Sequence, residues 1–165
     1  MADYKSKTDE GKCIFCEIAK KNIKIAGTFW ENEKYVAFLS GWPNTEGFTV
    51  IMPKKHYHSD VFAMPDDVLG EFVSVAKKIA NVLTKHFKDV GRVGMITEGT
   101  GVDHAHIKLF PMHGTEGMKT GKWKQIHSKC DKYFETYEGY MSSNDGPKAD
   151  EAKISKLANE LKKLL

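Results

Sequence analysis

The stretch that decides the fold is Val102-Asp-His-Ala-His-Ile-Lys-Leu-Phe110, closed by Pro111. Its alternation is strict. In a strand, residues two apart stand on one face, roughly 6–7 Å from each other. Val102, His104, His106, Lys108 and Phe110 therefore share one face, and Asp103, Ala105, Ile107 and Leu109 share the other, which is mostly apolar and suited to a core. A half-exposed strand with a wet side accounts for one histidine. Two histidines and a lysine in a row, directly after the turn Gly99-Thr100-Gly101, point to a site.

Outward from this strand, four more segments read as strands: Thr28–Trp30, Tyr35–Leu39, Phe48–Met52 and Arg92–Thr97. The run Gly41–Gly47 is dense in turn formers and forms a loop. Asp66 or Asp67 is placed to cap a helix reaching about Phe87, with Val68, Phe72, Val75, Ala76, Ile79, Val82 and Leu83 at three- and four-residue steps. Glu17–Lys21 suits a short helix, Gly114–Lys124 a mobile loop, and Tyr133–Met141 a short strand. The expected organisation is a flexible terminus over 1–12, one α+β domain over 13–146 and a C-terminal helix over 147–165 packed on it.

The 165 residues suffice for one domain with a core. A net charge of +3 tolerates an anionic ligand but lacks the clustered basic footprint of a nucleic-acid binder. No apolar run approaches a membrane span and no signal peptide is visible. Three cysteines, two of them spaced Cys13-x-x-Cys16, suit a reducing compartment and predict a cytoplasmic location.

Two constellations carry chemistry. Cys13 and Cys16 have the spacing of a zinc knuckle, with His56 and His104 as candidate partners; a redox pair or two small buried side chains are the alternatives. The second is a nucleophile. A neutral imidazole attacks phosphorus near pH 7, and His106 suits that task if a backbone carbonyl holds one ring N–H. Lys108 would offset phosphate charge, and the amides of Gly99, Thr100 and Gly101 could cradle phosphate oxygens. This reading requires the His106 ring to face an open cleft. His58, His86, His113 and His127 read as surface or boundary histidines, and Cys130 as a bystander. Trp30, Trp42 and Trp123 read as packing groups, with Trp42 the one placed to serve a site.

Tyr35–Leu39, Gly47–His56, the long helix and His104-Ala-His106-Ile-Lys108-Leu-Phe-Pro111, together with Cys13-Ile-Phe-Cys16-Glu-Ile, resemble the histidine triad (HIT) superfamily of nucleotide hydrolases and transferases over about residues 13–112. The opening is similar to its zinc-binding bacterial branch. The resemblance implies an antiparallel five-stranded half-barrel with a long helix, pairing into a homodimer. It implies attack by His106 on the α-phosphate of a nucleoside phosphoramidate or dinucleoside polyphosphate, through a nucleotidyl-histidine intermediate. It implies structural zinc on Cys13, Cys16, His56 and His104, and a purine nucleotide or other nucleoside phosphate held near Phe38, Ser40, Trp42 and the Gly99–Gly101 turn. This chain departs from the pattern at Lys108, which replaces the third motif histidine, and at Ser40, Phe48, Thr100 and Gly101. The nucleophile survives these changes while part of its supporting shell does not. The rival expectation is a catalytically weak nucleotide-binding protein of the same fold.

Overall fold

Alternation in five short segments and one long 3.6-residue stripe build the molecule. The computed structural model describes residues 13–25, 27–41 and 43–125. The chain divides into two compact units, 1–123 and 124–165, and all but the last two described residues lie in the first. The expected flexible terminus, the Tyr133–Met141 strand, the C-terminal helix, Trp42, His127 and Cys130 lie outside the described residues.

A short helix α1 (Ile14–Ala19) leads into strands β1 (Thr28–Glu31), β2 (Tyr35–Leu39) and β3 (Thr49–Pro53). The long helix α2 (Asp66–His86) follows, then β4 (Val93–Ile96) and β5 (Ile107–Pro111). The strands form one antiparallel sheet in the order β1-β2-β3-β5-β4, the α+β architecture expected from the sequence. No described helix is long and apolar enough to cross a membrane.

The period of two assigns the faces. Tyr35, Ala37, Ile51, Ile107 and Leu109 point to α2 and meet Phe72, Val75, Ala76, Ile79 and Leu83 from its stripe. Tyr35 and Phe72 stack there at 5.5 Å between ring centroids. Val36, Phe38, Val50 and Met52 point the other way, against Ile14, Phe15 and Ile18 of α1. Val82 falls outside the buried stripe and is exposed. Pro65 takes the N-cap position of α2 without a side-chain bond; Asp66 and Asp67 sit in the first turn, where they complement the helix dipole rather than cap it.

The decisive strand is shorter than its alternation predicts. Residues 101–104 bend, and pairing begins only at Ile107. The physical reason is a competing set of hydrogen bonds. Asp103 accepts the Ser59 amide at 2.9 Å and lies 2.9 Å from His58 Nδ1, the His104 amide donates to the Val102 carbonyl, and the Ala105 amide donates to the Tyr57 carbonyl. The chain is held to the 57–59 segment before it can join the sheet. Further on, residues 114–124, expected as a mobile loop, include a 3₁₀ helix, Glu116–Thr120.

Candidate metal centre and active site

Cys13 is the N-cap of α1, its Sγ accepting the Cys16 amide at 3.4 Å, so one turn of helix presents both sulfurs on the same side. Across from them stand two imidazoles. Cys13 Sγ lies 3.3 Å from His104 Nδ1, Cys16 Sγ lies 3.4 Å from His56 Nδ1, and Cys16 Sγ lies 3.6 Å from His104 Nδ1. The four donor atoms all fall within 4.8 Å of one another, a cluster that could bind a metal ion.

The protonation of this cluster fits a cation. His104 Nε2–H donates to the Pro53 carbonyl at 2.8 Å, which leaves the Nδ1 lone pair aimed at the sulfurs. Burial drives the His104 ring down to about 4, with the Pro53 carbonyl opposing, so it is neutral near pH 7. Burial, reinforced by the neighbouring Cys13 thiol, raises Cys16 to about 11. Without a cation the Cys16 thiol holds its proton; a bound dication removes that cost and deprotonates it.

His106 comes two residues later. Its Nδ1–H donates to the His104 carbonyl at 2.8 Å, so Nε2 carries the free lone pair. Burial lowers the ring's pKa, the His104 carbonyl opposes this, and Lys108 adds a smaller push downward. One residue thus serves two purposes: the His104 side chain belongs to the metal cluster, and its carbonyl orients the His106 ring.

The open cleft expected around His106 is absent. The residue is only 4% exposed, because Phe15 of α1 lies edge-on against its ring at 5.3 Å between centroids. Phe15 also meets His104 at 5.7 Å and Phe38 at 6.1 Å. The expected open cleft is therefore corrected to a nearly sealed face, capped by the ring between the two cysteines. Among the described residues, the one buried side-chain nitrogen or oxygen lacking a hydrogen-bond partner is Thr97 Oγ1.

Lys108 stands half-buried on the same sheet face, its Nζ paired with Glu98, which the sequence reading did not single out. Phe38 is buried under Phe15, while the Ser40 amide donates to the Phe48 carbonyl. Gly99 adopts a φ of +66°, and a Cβ there would meet the Ser59 carbonyl oxygen at 2.7 Å, so this position of the turn requires glycine. That contact sets the Gly99–Gly101 turn against the 56–59 segment; Thr100 is exposed. His58, His86 and His113 are exposed, as expected. Yet His58 belongs with His56 and Asp103 to a second group of donors, and nothing in the local sequence signals that grouping.

Comparison with known proteins places these observations. The HIT domain family profile matches residues 22–115. A HIT-like protein of Methanocaldococcus jannaschii is 35% identical over 120 residues, spanning 69% of this chain and 91% of that protein. An adenosine 5'-monophosphoramidase of Candida albicans is 32% identical over 135 residues, spanning 76% of this chain and 87% of the relative. The crystal structure of SMU.412c from Streptococcus mutans shares the fold with a TM-score of 0.65 at 23% identity, over 94% of this chain and 86% of that one.

Proposed function

The chain belongs to the HIT domain family, and from that premise we propose a nucleotide hydrolase or transferase in which His106 Nε2 attacks the α-phosphorus of a nucleoside phosphoramidate or dinucleoside polyphosphate. One observation carries the reading: the His104 carbonyl holds the Nδ1 proton of His106 and leaves Nε2 as a neutral nucleophile.

In the first step Nε2 bonds to phosphorus while the bond to the leaving group breaks, and that group departs with the electron pair and, where it is an amine, a proton taken from solvent. The ring becomes a nucleotidyl-imidazolium, whose charge the His104 carbonyl stabilises through Nδ1–H. Water or another acceptor then attacks phosphorus, the N–P pair returns to Nε2, and the nucleoside monophosphate leaves. Lys108, two residues on along the same face, supplies positive charge to the phosphoryl oxygens, with Glu98 holding its ammonium. The purine nucleotide would lie toward Phe38, Ser40 and Trp42, with the Gly99–Gly101 turn on the phosphate side. Phe15 must give way for a phosphoryl group to reach Nε2, and it belongs to a helix of only six residues.

Two sulfurs and two imidazole nitrogens suit tetrahedral zinc, held by Cys13, Cys16, His56 and His104. Its contribution is structural: it would clip α1, and with it Phe15, onto the histidine segment. The reading also includes a cytoplasmic homodimer. Strand β4 supports the pairing, as it ends the sheet with an unpaired edge among the described residues and an exposed Met95.

Turnover of a nucleoside phosphoramidate by the purified chain tests the reading. His106→Ala is expected to lose at least about a thousandfold of the rate, the scale of removing a covalent nucleophile. Lys108→His, which restores a group able to pass a proton near pH 7, is expected to raise phosphoramidase activity; a fall would tie Lys108 to a different leaving group. The cover that Phe15 places over His106 favours the rival reading, a nucleotide-binding protein without turnover. Binding that is equal in wild type and His106→Ala, with no product from either, would establish it.

A further inference from the structure

The quartet shares a member with a second set of metal donors. His56, His58 and Asp103 each offer one ligand atom, and these lie within 4.8 Å of one another. The two sets differ in depth. His104 is fully buried and both cysteines are half-buried, whereas His56, His58 and Asp103 are all exposed. His56 is the hinge between them: its ring centroid stands 5.0 Å from that of His104 and 5.3 Å from that of His58.

The outer set is already assembled. His58 Nδ1 lies 2.9 Å from one oxygen of Asp103, and the other oxygen accepts the Ser59 amide at 2.9 Å, so the carboxylate is fixed beside the imidazoles. His56 is also the one exposed donor of the quartet. Beside it stand Asp103 and His58, both exposed as well.

We propose that His56, His58 and Asp103 form a staging site for a divalent transition-metal cation, which is captured at the surface and handed through His56 to Cys13, Cys16 and His104. The chemistry matches the task. Two imidazoles and a carboxylate accept a zinc-class dication and leave its remaining positions to water, while the carboxylate draws the cation in. Transfer exchanges His58, Asp103 and water for two thiolates and a buried imidazole, and the two thiol protons pass to solvent. Because His56 belongs to both sets, they fill in turn. This inference rests on the reading that the quartet holds zinc.

The test uses the full-length, zinc-loaded protein and zinc alone as the probe. Exchange of bound zinc for labelled zinc, and its release to a chelator, are timed for the wild type, His58→Gln and Asp103→Asn. Chelator competition gives the affinity of each. The His58 side chain is 81% exposed, and Asp103→Asn keeps an oxygen for the Ser59 amide, so both variants preserve the fold. A staging site lies on the path in both directions. Uptake and release are therefore expected to slow by the same factor, about tenfold, with affinity unchanged and one zinc kept per chain. Unchanged exchange overturns the proposal. So does an affinity loss of about 10–100-fold with faster release, which is how residues that merely brace a ligand behave. Native protein that carries no zinc at all overturns the quartet reading itself, and the staging site with it.

Discussion

The two faces of the sheet make an instructive pair. Toward α2, thirteen buried residues among those described form one apolar cluster; toward α1, the corresponding cluster has five. The larger face needs nothing but burial, at roughly 25 cal/mol for each Å² of apolar surface removed from water. The smaller face covers its share of the sheet with a six-residue helix, far too short to be stable alone. What it lacks in apolar area it replaces with Cys13, Cys16, His56 and His104, and the same helix carries the ring that covers His106. One face stores stability, and the other places chemistry where a local change can alter it.

The largest effect that would break this division belongs to the α2 face. Phe72→Ala removes a fully buried ring stacked on Tyr35 and is expected to cost about 3–5 kcal/mol in denaturant unfolding, with zinc content unchanged. A loss of zinc in that variant would mean that the two faces are not separate. Next comes the metal. Chelation is expected to lower stability by about 3 kcal/mol from a starting point where free zinc stands about a hundredfold above its dissociation constant. Hydrogen exchange should show the loss concentrated in α1 and sparing α2. The smallest effect sharpens the contrast. Phe15→Ala is expected to cost only about 1–2 kcal/mol, since the ring is half-buried, while diethyl pyrocarbonate modifies His106 faster than in the wild type. An unchanged modification rate would show that some other group covers the imidazole.

The two faces also differ in how much of them the sequence discloses. The α2 face was legible because its information is local: alternation in Tyr35–Leu39 and Phe48–Met52 and the stripe from Phe72 to Leu83 lie within single segments. Strands β1 to β4 and the long helix stand close to the positions that the sequence patterns indicate. The α1 face depends on contacts between distant residues. Nothing near His106 says that Phe15, 91 positions earlier, will cover it, so an alternating pattern that reads as a wet face closes instead. Asp103 likewise leaves the strand for Ser59 and His58, more than forty residues back, and shortens β5 from its N-terminal end. The grouping of His58 and His56 with Asp103 escapes for the same reason.

The central claim is that His106 Nε2 forms a bond to phosphorus. Brief incubation of the chain with a nucleoside phosphoramidate, acid-free quenching and intact-mass spectrometry measure that bond directly. The predicted result is a mass increase of one nucleoside monophosphate residue, mapped to the peptide containing His106 and absent from His106→Ala. Turnover without any such adduct, or equal turnover in His106→Ala, would contradict the account.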